Sequence, residues 1–428
     1  MSAAARPLET AEIIAVGSEL LGWTRLDTNS LFITEQLAAA GIEVKGKSVV
    51  GDDRVRLRQV FEQALDRSDL VILTGGLGPT DDDLTREVVA EALERPLEED
   101  ASITALIEQR FARRGMRMPH VNRRQAMVPR GAAVLPNAHG TAPGLLLAVA
   151  DKVVVLLPGP PREMQAMFKG LLEDGALAAR TGRSRLYKVS LFTTQRSESH
   201  VEEIAQPIYS QWRDGDAPIE TTILATPGQI ELHLSLRSDD ERSAMETLGA
   251  ARRQLVDALG DSVFTTDGRS LPRFVGDLLR DRQMTISAAE SCTGGLLLER
   301  LTDLPGSSDY VIGGVVAYSN ELKTALLGVD PELIRAHGAV SEPVAAAMAD
   351  GLQTRTHANV CVSITGVAGP GGGTEAKPVG TVVIGVLLTG RPISVRTYLF
   401  PGGREHVRFQ STQSALDTVR RQLLTSHP

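Results

Sequence analysis

Asp69-Leu70-Val71-Ile72-Leu73-Thr74-Gly75-Gly76 is the stretch that decides the fold. Its apolar run shows no polar alternation, as expected of a strand covered on both faces, and glycines follow at once. Working outward, Ile13-Ile14-Ala15-Val16 and Lys152 to Leu157 read as further short, β-branched strands. Asn29 to Ala40 and Leu84 to Leu93 read as helices between them. Such alternation predicts βαβ units and a mostly parallel sheet over about residues 11–170.

The pattern changes from about residue 171 to 266. Tyr187 to Thr194 and Gln229 to Leu236 alternate with period two, as half-exposed strands do. Helical patterns cover Ser197 to Trp212 and Asp239 to Leu259. This middle stretch reads as a small α+β module with a structural or spacer role, since it carries neither a glycine-rich loop nor a carboxylate cluster. Asp267 to Pro272 marks a boundary. Another α/β unit follows, with strands near 284–289, 310–317, 359–364, 379–387 and 393–399, and helices near 294–303, 343–355 and 405–425. The predicted class is α/β: two α/β domains with mainly parallel sheets, 1–170 and 269–428, joined by a small α+β module, 171–268.

Composition narrows the function. The 428 residues hold 45 Lys+Arg against 53 Asp+Glu, a net charge of −8. A nucleic-acid footprint is usually basic, so direct nucleic-acid binding is not expected, while local phosphate pockets stay open. Two cysteines, Cys292 and Cys361, make no disulfide framework, and Cys361 lies in an apolar run that suits packing. No apolar stretch reaches the roughly 18 residues of a membrane helix. The longest, Gly144 to Leu157, is broken by Asp151-Lys152. The N-terminus has Arg6 but no apolar core of a leader, so a cytoplasmic location and no membrane partner are expected.

Two polar clusters follow strands in the last unit: Glu290-Ser291-Cys292-Thr293-Gly294-Gly295 and Tyr318-Ser319-Asn320-Glu321-Leu322-Lys323. Both sit at carboxyl ends of strands and starts of helices, the edge where open α/β sheets bind ligands. A hydroxyl attacks an amide only with a base to take its proton and donors to hold the oxyanion. Ser291 is the candidate nucleophile and Lys323 the candidate base, neutral when desolvated. Tyr318 could relay the proton or fix the lysine. Backbone N–H groups of Cys292, Thr293 or Gly294 at the helix start could meet the oxyanion, with Gly294 and Gly295 permitting close approach. Taken singly, Ser291 also reads as an N-cap, Lys323 as a surface helix residue, and Cys292 as a rival nucleophile.

A glycine-dense loop follows the strand through Cys361: Thr365-Gly366-Val367-Ala368-Gly369-Pro370-Gly371-Gly372-Gly373. It could wrap a phosphate or ribose, with Lys377 as a cation beside it. Arg404 and Arg408, four apart on a helix, suit an anion or else are simply solvated.

In the first unit, Gly75, Gly76, Gly78 and Thr80 precede Asp81-Asp82-Asp83 and a helix. Glycines there could cradle a diphosphate, and the carboxylates either hold a Mg²⁺-like divalent ion or cap the helix. Gly17-Ser18-Glu19, Asn29, Asp52, Asn137, Pro158-Gly159 and Glu163 also lie near strand ends and could complete a nucleotide pocket, with Asp52 and Glu163 as further metal ligands.

The Ala289–Gly295, Tyr318–Lys323, Gly338–Glu342 and Thr365–Gly380 motifs resemble the nicotinamide-nucleotide amidase domain of the CinA family (competence/damage-inducible protein). The resemblance covers the C-terminal unit. It implies hydrolysis of nicotinamide mononucleotide to nicotinic acid mononucleotide and ammonia, without a cofactor, by Ser291, Lys323 and Tyr318. Family members commonly have Gly-Asp-Arg where this chain has Gly402-Gly403-Arg404. The Gly75–Thr85 and Pro136–Gly144 motifs resemble the family's N-terminal molybdopterin-binding-like domain, which implies metal-dependent ADP-ribose pyrophosphatase activity. The middle stretch resembles the family's KH-like linking module. Homodimerisation is implied by the same resemblance. Two other readings stand beside these: a pterin or nucleotide sensor without turnover in the first domain, and a competence or recombination adaptor for the whole chain.

Overall fold

A computed structural model describes residues 6–173, 177–182, 184–213 and 218–425. Residues 1–5, the start of the segment read for a leader, lie outside the described residues. By compactness the chain divides into two units, Met1–Tyr187 with Arg237–Ala244, and Lys188–Leu236 with Met245–Pro428. Among the described residues no helix is long and apolar enough to cross a membrane.

The first unit is built on strands β1 (Thr10–Val16), β2 (Glu43–Val50), β3 (Leu70–Thr74), β4 (Leu97–Glu99), β5 (Met127–Pro129), β6 (Ala133–Leu135), β7 (Gly144–Val149) and β8 (Lys152–Leu157). Its main sheet has the order β2-β1-β3-β8-β7-β6, parallel through β8 and antiparallel in β7 and β6. β4 and β5 form a separate pair. Every residue of β3 is buried. Leu70 and Ile72 pack on one face with Ile33, Leu37 and Phe168, while Val71 and Leu73 pack on the other with Leu57, Phe61 and Val88. Helices on both faces thus explain the uninterrupted apolar run, each such side chain contributing roughly 1.5–3 kcal/mol. The stretch Gly144 to Leu157 is a hairpin that turns at Ala150-Asp151, with Val149 opposite Lys152.

The four-stranded sheet that follows has the order β10-β11-β9-β12, from β9 (Arg185–Thr193), β10 (Glu220–Thr226), β11 (Gln229–Ser238) and β12 (Val263–Thr265). β10 is mostly exposed and β12 is three residues long, so neither left a clear periodic signal. Helices Glu198–Tyr209 and Glu241–Leu259 complete this α+β element.

The last sheet has the order β14-β13-β15-β16-β17, from β13 (Ile286–Glu290), β14 (Val311–Val316), β15 (Val360–Gly366), β16 (Thr381–Leu388) and β17 (Ser394–Leu399). β14, β13 and β15 are parallel, whereas β16 and β17 run antiparallel to their neighbours. The reason lies in the connections. A parallel neighbour needs a crossover, and the glycine loop from Gly366 to Thr381 holds no helix. Helices Leu271–Asp281 and Pro331–His337 were not foreseen. Both main sheets share one feature: the first strand lies between the second and third, as β2-β1-β3 and as β14-β13-β15. Crossovers leave such a strand in opposite directions and open a crevice at its carboxyl end.

Candidate functional site

In the second unit that crevice lies beyond Glu290, Val316 and Gly366. Ser291 follows β13 directly, in a turn that ends at Gly295, whose left-handed φ of 97° makes it the N-cap of helix Leu296–Thr302. Ser291 is therefore not the N-cap of that helix. Its N–H donates to the Ile364 carbonyl at 2.9 Å, fixing it to β15. Lys323, on helix Asn320–Leu327, is 1% exposed rather than a surface residue.

The Lys323 nitrogen lies 3.1 Å from Ser291 Oγ, 2.9 Å from the Ala317 carbonyl and 3.3 Å from the Tyr318 carbonyl. Burial lowers its pKa from the ordinary lysine value, against the opposing pull of Cys292 and Glu321. A neutral amine has two N–H bonds and one lone pair. With two carbonyls taking the N–H groups, the lone pair is left for the Ser291 hydroxyl proton. Burial also pushes the Cys292 thiol up to about 11, which keeps it protonated and a poor nucleophile.

Tyr318 enters differently from expectation. Its carbonyl holds the lysine, but the residue is 57% exposed and its phenol oxygen accepts from Arg404 Nη2 at 2.9 Å. The three cations expected to face an anion are each tied to a backbone carbonyl. Arg404 donates to the Gly369 carbonyl, Arg408 donates twice to the Thr293 carbonyl, and Lys377 donates to the His337 carbonyl. Each arginine fork keeps further N–H donors. Both arginines line a cleft of about 850 Å³ with Leu296 and His406, which Ser291 and Lys323 do not line. The Thr365 hydroxyl is spent on the Ala339 carbonyl. Gly366 packs where a side chain would strike Val382, and the loop through Gly369, Gly371 and Gly372 continues from it.

Glu290 was missed by sequence reasoning as a site residue. It is fully buried, and its carboxylate accepts from the N–H groups of Gly295, Leu297 and Leu298 at 2.9–3.1 Å. The Gly294 N–H is used by the Ser291 carbonyl. Of the oxyanion donors foreseen, the Cys292 and Thr293 N–H groups have no backbone acceptor among the described residues. Thr293 Oγ1 is buried with no partner among the described residues, an open polar position two residues from the nucleophile. The signal for Glu290 was an acid ending an otherwise apolar strand: such a charge must find donors.

In the first unit, Gly17, Glu19, Asp52, Gly75, Gly76, Gly78, Asp82, Asp83, Pro158, Gly159 and Glu163 line one cavity of about 350 Å³. Gly75 has φ 98°, and a Cβ there would sit 2.1 Å from the Val16 carbonyl oxygen, so the β3 loop can pass β1 only as glycine. Ser18, Asn29, Thr80, Asp81 and Asn137 do not line it. Ser18 and Asp52 exchange two hydrogen bonds, Asn29 donates to the Gly159 carbonyl, and Asn137 donates to Glu163. Gln125 and Thr141 also line the cavity and were not foreseen. Arg86 was missed too. It is buried beside the loop, donates to the Leu77 and Arg124 carbonyls, and leaves Nε without a partner among the described residues.

The carboxylates do not form a preformed metal shell. Asp83 accepts from the Gly78 and Thr80 N–H groups and the Thr80 hydroxyl, which is a loop-capping role. Asp81 is exposed and pairs with Arg124. Among the described residues no three of His, Cys, Asp and Glu converge as metal ligands.

Residues 268–423 match the family model described as "CinA C-terminal domain", and residues 12–177 match "Probable molybdopterin binding domain". A CinA-like protein of Koribacter versatilis is 45% identical over 419 residues, 97% of this chain and 100% of that protein. One of Thermosynechococcus vestitus is 42% identical over 420 residues, 97% of this chain and 100% of that one. Among solved structures, CinA of Thermoplasma acidophilum is 37% identical with a TM-score of 0.37, over 39% of this chain and 98% of that chain. The competence/damage inducible protein CihA of Agrobacterium tumefaciens is 36% identical with a TM-score of 0.35, over 36% of this chain and 94% of that one.

Proposed function

The chain belongs to the CinA family, and from that premise we propose that its C-terminal domain deamidates nicotinamide mononucleotide through Ser291. The observation that carries this reading is the buried Ser291–Lys323 contact at 3.1 Å. Neutral Lys323 takes the hydroxyl proton as Oγ attacks the carboxamide carbon. The Cys292 and Thr293 N–H groups face the developing oxyanion, worth a few kcal/mol in such sites. The C–N bond breaks, and Lys323 returns the proton to the leaving ammonia. Water then attacks the acyl-Ser291 ester with Lys323 again as base, releasing nicotinic acid mononucleotide. The free donors of Arg404 and Arg408 serve the substrate phosphate. Incubating the full chain with the mononucleotide and measuring ammonia tests the proposal, and no ammonia above a Ser291→Ala control overturns it.

For the N-terminal domain our reading is ADP-ribose binding at its diphosphate, with cleavage there as the activity to test. The glycine-lined cavity and the buried guanidinium of Arg86 beside its loop favour a diphosphate. Since the carboxylates are engaged in the loops, a divalent ion would enter with the ligand's phosphates, as Mg²⁺ commonly does with one or two protein carboxylates. Release of AMP and ribose phosphate from ADP-ribose checks the cleavage. Binding without products favours the sensor reading.

A further inference from the structure

A cavity of about 1000 Å³ in the second unit is lined by none of the residues assigned to either proposed reaction. Its walls come from Thr194–Ser197, the turn after helix Glu241–Leu259, β17, and the last turns of helix Arg404–Thr425. We propose that this cavity binds a phosphorylated small molecule of nucleotide size, held between Arg196 and Arg396.

Charge is the first ground. Arg196 and Arg396 reach the cavity from different segments, and neither has an ion pair or side-chain hydrogen bond among the described residues. A third guanidinium, Arg421, lines the same wall. It shares the buried carboxylate of Asp417 with Arg420, at 2.8 Å to each. Among the lining residues, Arg196, Arg396 and Arg421 therefore stand against Asp261 and Asp417. In a chain of net charge −8 this lining keeps a positive excess, with two arginines free to meet an anion.

Backbone geometry is the second ground. Gln195, beside Arg196, holds φ at +62°, a left-handed conformation uncommon outside glycine and costly to keep. Its carboxamide donates to Ser414 Oγ at 2.9 Å, which pins the strained residue to the helix that forms the opposite wall. The loop is thereby set in one conformation before any ligand arrives. Tyr398, stacked on Phe400 with centroids 5.3 Å apart, adds a rigid aromatic surface to the wall. The volume lies at the upper end of ordinary small-molecule sites, roughly 300–1000 Å³, so it admits a nucleoside moiety as well as phosphate.

Hydrogen exchange on the full chain localises binding and separates this site from the N-terminal pocket. The probes are inorganic pyrophosphate, ADP and adenosine. Expected is slowed exchange in segments 194–200 and 394–398 with ADP. If pyrophosphate gives the same slowing, the phosphate alone is the anchor; if it does not, the ligand is a nucleotide. Adenosine leaves both segments unchanged. In R196E/R396E that protection disappears and the Kd rises about 100-fold, about tenfold for each lost charge-assisted contact. R396K retains most of it, and any protection of residues 75–83 persists in every variant. The proposal is overturned when neither ADP nor pyrophosphate slows exchange in these segments, or when R196E/R396E responds like the unaltered chain.

Discussion

Lys323 points its nitrogen at the Ser291 hydroxyl from 3.1 Å while two carbonyls, of Ala317 and Tyr318, hold its remaining valences. The pair bridges the ends of two neighbouring strands, β13 and β14, and both members are shielded from water. That arrangement yields a set of separable expectations.

Ser291→Ala is expected to lower kcat for the mononucleotide by at least ~10³-fold, as loss of a nucleophile does. Cys292→Ser should keep the rate within about tenfold, because a thiol held near 11 is not ionised at neutral pH. Ammonia release from both variants decides it. The opposite ranking would move the nucleophile to Cys292.

The pH profile follows from the lowered lysine pKa. Activity requires the neutral amine, so kcat/KM rises with pH through the folded-state pKa and levels off below the ordinary lysine value of about 10.4. The unfolded chain holds that proton more tightly, so at lower pH burial of Lys323 costs stability, and the cost fades as pH rises. Lys323→Met should lose activity yet show no such pH-dependent rise in its urea midpoint.

Tyr318→Phe tests what the phenol does. With its hydroxyl on Arg404 rather than on Ser291 or Lys323, the variant should raise KM and leave kcat within about tenfold and the pH limb in place. A collapse of kcat with a displaced limb would make the phenol a proton relay.

Glu290→Gln replaces an acceptor of three N–H groups by a side chain with a single oxygen. Leaving buried donors unsatisfied costs about 1–3 kcal/mol, so urea unfolding should detect a loss of that size. Because the same loop carries Ser291, kcat should fall with little change in KM.

In the first unit, Asp83 is committed to Gly78 and Thr80, and Asp81 to Arg124. Calorimetry with Mg²⁺ alone should therefore find no saturable site, and one should emerge only with ADP-ribose present. Tight binding to the nucleotide-free chain would contradict the shared-ion reading.

Much of this was legible in the chain itself. The apolar run at Leu70–Leu73 announced a strand buried on both faces, because parallel sheets leave no solvent face to encode. The glycines after β3 were read as a diphosphate cradle, and the structure adds that Gly75 must pass the Val16 carbonyl too closely for any side chain. Less legible was the direction of β16. Its eight residues are all buried, and burial erases the alternation that separates antiparallel from parallel strands.

Sequence by itself determined which side chains stand at the carboxyl ends of the strands, since that depends on local pattern and spacing. Only tertiary structure decided what each does there. It turned Tyr318 outward and anchored Arg404 and Arg408 on loop carbonyls and Lys377 on a helix-end carbonyl. It gave Glu290 the helix N–H groups and left Lys323 alone facing Ser291. The physical reason is that a buried polar group must be satisfied by whatever the fold brings near, and sequence neighbours do not specify that partner.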